Sequence, residues 1–175
     1  TLEEIGLVGG GDFSFVTPFE AQRLEISTAG AHGVFFDETA TIQHFKMSLA
    51  GAGKLVCKDL HADRVDWNVA GVGNLVCKNL HADHANLGVA GSGGIVIEAG
   101  KVKSADISVA GTGSVEARCE LESMDYNISG WGNIKYYGDV KVKGTCMGGK
   151  IKRIDSENMK TEKKCCHEKS KKTKN

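Results

Sequence analysis

The chain has 175 residues, enough for one domain with a sizeable core. Its 23 Gly against a single Pro, with few aromatics, exclude a disordered low-complexity chain, which would usually carry both in quantity. The formal net charge of zero conceals an acidic body, with 12 Lys/Arg against 18 Asp/Glu in residues 1–149, and a basic end, with 10 against 4 in residues 150–175.

A basic end can touch nucleic acid or anionic lipid, but a solvated terminus is the simpler reading, and no nucleic-acid partner is expected. No run of ~18 apolar residues is present to span a bilayer. The six cysteines (57, 77, 119, 146, 165 and 166) form no zinc-type C-x-x-C pair and no framework of a small secreted domain. Thr1 is not an initiating residue, which leaves open a removed signal peptide or membrane anchor ahead of it.

In chain order, the dominant signal is a repeat. Gly51–Asp63 returns twenty residues later as Gly71–Asp83, sharing Leu-Val-Cys-Lys and Leu-His-Ala-Asp. Marker glycines fall at Gly9, Gly30, Gly51, Gly71, Gly91, Gly111 and Gly130, spaced 19–21 apart. Such a period is the mark of a solenoid or array. Each unit reads G-x-G, a short strand, a polar corner, and a second strand running into the next Gly. Leu55/Cys57, Leu75/Cys77, Ile95/Ile97, Val115/Ala117 and Ile134/Tyr136 occupy every second place, as do Val65-Trp67-Val69 and its copies. Period two predicts strands with one buried face. Stacked at ~4.8 Å, like residues form ladders and neighbouring units bury each other.

The pattern therefore predicts an all-β parallel β-helix of about seven to eight coils over residues 1–154, with a Lys-rich C-terminal tail over 155–175. The corner glycines Gly51, Gly53, Gly71, Gly73, Gly91, Gly93, Gly111, Gly113, Gly130 and Gly132 are structural turn residues that allow tight bends. The end units are looser. His32 replaces a second Gly, Met147-Gly148-Gly149 lacks the first Gly, and Met159–Asn175 reads as a mobile tail or a short helix.

Candidate chemistry is sparse. The G-x-G pairs lead into strands rather than a long helix, so no cofactor is expected. Gly9–Phe13 superficially resembles a calcium-binding nonapeptide repeat, but period and Asp spacing disagree. No metal site is assigned. His61 and His81, one coil apart and followed by Asp63 and Asp83 with His84 nearby, are candidate zinc or copper ligands; the alternative is a polar corner copied with the repeat. Cys57 and Cys77 share an inward ladder position and read as buried free thiols. Cys165-Cys166-His167 is too local for a four-ligand site. No catalytic residues emerge: nothing marks a nucleophile elbow, and Asp63, Asp66, Asp83, Asp106 and Asp125 line coil faces without a cleft-building loop.

The recurring units Ala70-Gly71-Val72-Gly73-Asn74-Leu75, Ala110-Gly111-Thr112-Gly113-Ser114-Val115 and Ser129-Gly130-Trp131-Gly132-Asn133-Ile134 resemble the auto-transporter adhesin, head GIN domain family of Bacteroides-type bacteria. The resemblance covers roughly residues 5–154, with His32, the Met147 corner and the Lys/Cys tail as departures. It implies a right-handed parallel β-helix exported to the cell envelope, often as a lipoprotein, and brings no catalytic residues. The expectation is a non-enzymatic adhesin-like solenoid, at the periplasm or cell surface, binding glycan or cell-surface protein on its strand faces. Trp131 at a Gly-Gly corner and outward Tyr137 are its candidate binding residues. For Trp131 the alternative is a side chain folded over the end coils. Rival readings are a carbohydrate-active β-helix enzyme and a self-assembling scaffold of the bactofilin kind.

Overall fold

A strand whose alternate residues are apolar buries one face, and a coil of such strands closes only where the chain turns sharply. In the computed structural model, which describes residues 4–154 and 161–164, the sharp turns come at glycines. Gly30, Gly51, Gly71, Gly91, Gly111 and Gly130 have φ between 110° and 119°, where a Cβ is strongly disfavoured.

Between the turns run β1 (Glu4–Phe15), β2 (Phe19–Gly51), β3 (Lys54–Gly71), β4 (Asn74–Gly91), β5 (Gly94–Gly111), β6 (Ser114–Ala117), β7 (Glu120–Gly130), β8 (Asn133–Tyr137), β9 (Lys141–Met147), β10 (Lys150–Ile154) and β11 (Thr161–Lys164). No helix occurs among the described residues. Strands β1 to β5 stack in order; β5 then carries both β6 and β7, which continue into β8 and β9, and β10 lies on β8. All these pairings are parallel. The result is a β-solenoid of about 8 turns with a period of about 20 residues, as the repeat predicts.

Register advances one repeat per coil. Leu55, Leu75, Ile95, Val115, Ile134 and Ile151 pair in succession, and all six are buried. Val69, Val89, Val109 and Ile128 form a second ladder. Burying one such aliphatic side chain contributes roughly 1.5–3 kcal/mol, and each rung is buried only because its neighbours are present. In β3 the inward residues are Leu55 and Cys57, then Leu60, then Val65, Trp67 and Val69. Consecutive outward-facing residues at Lys58-Asp59 and Asp63-Arg64 separate these runs, so a full coil has three inward faces and three corners. The N-terminal coils are filled by aromatics. Phe15 stacks on Phe36 at 4.4 Å, Phe36 meets Phe45 edge-on at 5.7 Å, and Phe45 meets Trp67 at 6.2 Å. Cys57, Cys77 and Cys119 are buried free thiols, whereas Cys146 is disulfide-bonded.

Two details differ from the sequence reading. The last corner has not lost its first Gly. Ser129 pairs with Met147 and Asn133 with Lys150, so Gly148 stands over Gly130 and Gly149 over Gly132, and the missing residue is the one between them. In addition, Thr161–Lys164 is neither mobile tail nor helix but a strand, paired antiparallel with β10. Its sequence, Thr-Glu-Lys-Lys, lacks apolar alternation, so nothing in the pattern announces it, yet it covers an edge that would otherwise be open to pairing. The rest of the expected tail, including Cys165-Cys166-His167, lies outside the described residues.

Candidate functional site

Two surfaces carry the candidate residues. The first is the Gly-x-Gly corner. In each coil the amide of the residue between the glycines donates to the Gly carbonyl one coil back: Ala52 to Gly30, Val72 to Gly51, Ser92 to Gly71, Thr112 to Gly91 and Trp131 to Gly111, at 2.9–3.0 Å. The backbone is thus held in register and the side chains point outward in one column. Ser92 and Thr112 hydroxyls meet at 3.0 Å, and Trp131 ends the column. The next corner is one residue short, so among the described residues none continues the column over the indole, and Trp131 is 77% exposed. It is not folded over the end coils.

Tyr137 is placed differently. It closes β8 on the outward side but is half-buried, and the Arg118 guanidinium carbon lies 6.0 Å from its ring centroid. Arg118 is itself anchored by Glu116, with Nε to Oε1 at 2.6 Å. Trp131 stands at the corner ahead of β8 and Tyr137 ends that strand, so the length of β8, roughly 13 Å at ~3.3 Å per residue, separates them and the fold does not bring the two aromatics together.

The second surface is a shallow groove of ≈ 360 Å³ along the strand that follows the Lys58 corner in successive coils, lined by Thr41, Gln43, His61, Asp63, His81, Asp83, Lys101 and Lys103 among others. Alternation sends Asp59, His61 and Asp63 to this same outward face. The register then sets His61 beside His81, with ring centroids 4.8 Å apart and planes within 10° of parallel. The carboxylate that joins them is Asp59, whose Oδ1 lies 3.5 Å from His61 Nε2. The carboxylates expected there do not. Asp83 pairs with Lys103 at 2.7 Å, and the hydrogen bond from that lysine holds its carboxyl below the ordinary value while raising the Lys103 amine. His84 turns past the next corner and bonds the Ser104 hydroxyl. Asp59 was missed because its copy in the next coil is Asn79, so it does not repeat.

The remaining carboxylates stand on the third face. Asp66, Asp106 and Asp125 share one register column, with Asn86 between the first two. Burial works against ionised Asp66, but hydrogen bonds from Asn86, His44 and Arg64 hold its carboxyl below the ordinary value.

Residues 1–140 match the family described as "Putative auto-transporter adhesin, head GIN domain". The chain belongs to this family. A solved structure from Parabacteroides distasonis, described as a putative lipid binding protein, is similar to this head GIN domain chain at 29% identity and a TM-score of 0.79, covering 87% of it. The match covers 62% of that protein, so the chain spans less than two thirds of its length. No curated protein matches. The family match takes in Trp131, Tyr137, His61 and His81, and ends before β9 begins at Lys141. No helix among the described residues is long and apolar enough to cross a membrane.

Proposed function

We propose that this head GIN domain is a non-enzymatic, cell-envelope, adhesin-like module that binds glycan or cell-surface protein through Trp131. The observation that carries this reading is the 77% exposed indole at a corner where the following coil gives up a residue. Exposing a large aromatic ring offers a flat apolar face with a polar N–H, the combination that recurs at recognition surfaces. The rigid ladder beneath it means little conformational entropy is lost when a ligand stacks there. The family name supports the adhesin-like class and an envelope address. Tyr137, half-covered beside Arg118, is the secondary contact, suited to a protein or charged saccharide rather than to simple stacking.

The test is an array of glycans and matrix proteins probed with the full chain and with Trp131→Ala. Binding by the wild type that the variant loses, with the melting temperature unchanged, is the expected result. Binding that the variant retains would exclude the indole.

A second reading is contact with lipid. It draws on the description of the Parabacteroides distasonis neighbour and on a shallow apolar strip of ≈ 480 Å³ beside Leu7, Val8, Leu49 and Ala70, where Val8 is 88% exposed. Co-sedimentation with phosphatidylcholine vesicles, lost in Val8→Asp and kept in Trp131→Ala, would favour it over the first.

A further inference from the structure

The Asp59, His61 and His81 side chains are brought together by the repeat register, not by a loop. One candidate donor atom from each lies within 4.8 Å of the others. The geometry points to a divalent transition-metal site on this face, with the two imidazoles and the Asp59 carboxylate as ligands and a fourth position open to the groove.

The donor chemistry selects the ion class. Imidazole nitrogens suit zinc, copper and nickel, whereas calcium and magnesium prefer all-oxygen shells. At Zn–N distances of 2.0–2.1 Å, tetrahedral ligand atoms stand roughly 3.3 Å apart. The present separations close to that value by rotation of two side chains about their χ angles, since His61 and Asp59 are partly solvent-exposed (46% and 32%) and have room to turn. The backbone need not move: the parallel ladder already fixes His61 opposite His81.

The carboxylate is also oriented from behind, as metal-binding carboxylates usually are. Asn79 Nδ2 donates to Asp59 Oδ1 at 3.0 Å, and Thr39 Oγ1 donates to Oδ2 at 3.5 Å. Both oxygens keep lone pairs for an ion. The donor set also occurs at one place in these columns, across two adjacent coils. The same columns hold Thr39 and Thr41 one coil earlier and Ala99 and Lys101 two coils later. A repeat copied for structure alone would not need a carboxylate where its copy has an amide. Asp63 and Asp83 offset the charge of Lys101 and Lys103 in the same groove.

The test is isothermal titration of the full chain with Zn²⁺, alongside His61→Ala, His81→Ala, Asp59→Asn, Asn79→Ala and His84→Ala. One ion per chain is expected. Removing either histidine should weaken binding by about a hundredfold or more, and removing the orienting Asn79 by about tenfold. His84→Ala should match the wild type, and added Ca²⁺ or Mg²⁺ should not compete. Co²⁺ substitution should give a spectrum without thiolate charge transfer, which separates this site from one built by Cys165, Cys166 and His167. Undiminished Zn²⁺ binding by a His61→Ala/His81→Ala double variant that melts like the wild type would overturn the assignment. So would the absence of any bound ion in the wild type.

Discussion

Replacing Gly91 by Ala tests the corner logic directly. Gly91 has φ +117°, and a Cβ built there would lie 2.5 Å from the Gly71 carbonyl oxygen and 3.1 Å and 3.2 Å from its nitrogen and carbonyl carbon. A side chain at positive φ costs about 1–2 kcal/mol. The clash is with backbone held in a ladder, so relief means parting two coils and weakening the Ser92 N–H to Gly71 O bond, now 2.9 Å, worth about 1 kcal/mol. The sum is about 3 kcal/mol, or roughly 6–12 °C in Tm for a chain of this size. Gly94→Ala is the matched control. Gly94 is outside the positive-φ set, and a Cβ there would meet the ends of the Asn74 and Ser114 side chains at 3.1 Å and 3.4 Å and the Ser114 carbonyl oxygen at an ordinary van der Waals distance of 3.5 Å; it should change stability by less than about 0.5 kcal/mol. Thermal and urea melts followed by circular dichroism at the β-sheet band give both values. Equal losses in the two variants, or a loss under about 1 kcal/mol for Gly91→Ala, would refute the claim that corner backbone contact, rather than glycine content in general, holds the coils in register.

The two tryptophans sit in opposite environments, Trp67 fully buried and Trp131 exposed. Trp131→Phe should therefore blue-shift the fluorescence and abolish most acrylamide quenching, with little change in Tm; a red, quenchable residual emission would contradict the core. The Asp66 carboxyl is held below its ordinary value of 3.8, against the effect of burial, by Asn86, His44 and Arg64. Its contribution is present above that pH and lost as pH falls through the lower folded value. Asp66→Asn should accordingly cost about 1 kcal/mol at pH 7, allowing for partial exposure, and should flatten the acid limb of a stability–pH curve. Burial pushes the Cys119 thiol from 9.0 up to about 12, and burial also raises Cys57, which lies against Cys77. Stability from Cys119 should be complete below pH 9.0 and decline as pH rises towards 12, and all three thiols should resist Ellman's reagent at pH 8 until urea unfolds the chain.

How much of this was legible in the sequence follows from what a repeat encodes. Leu55, Leu75 and Ile95 each state the same local rule, apolar inward at every second place, and twenty-residue spacing states which residue lies over which; both survive reading one coil at a time. The missing residue beside Trp131 does not. Counting glycines near Met147 suggests that a Gly was deleted, and only the pairings on both sides, Ser129 with Met147 and Asn133 with Lys150, show that the deletion falls opposite the indole. Tyr137 illustrates the same point: alternation places it outward, but the guanidinium beside it comes from Arg118, nineteen positions earlier.

The histidine face shows why repetition can mislead about sites. Asp59 and Asp63 lie equally far from His61 along the strand, one on each side, and alternation sends both outward. Asp63 draws attention because Asp83 repeats it, yet that column is neutralised by Lys103. Asp59 stands where the repeat breaks, with Asn79 as its hydrogen-bonding neighbour rather than its copy. In a solenoid, most repeated residues keep the coils together, since each must satisfy the same neighbour twice. A ligand site needs a donor set that occurs once along the stack, and the repeated pair His61 and His81 becomes such a set only where the unrepeated Asp59 joins it. Positions where a copied unit stops copying itself, Trp131 after Thr112 and Asp59 beside Asn79, are therefore where recognition is most economically built on this scaffold.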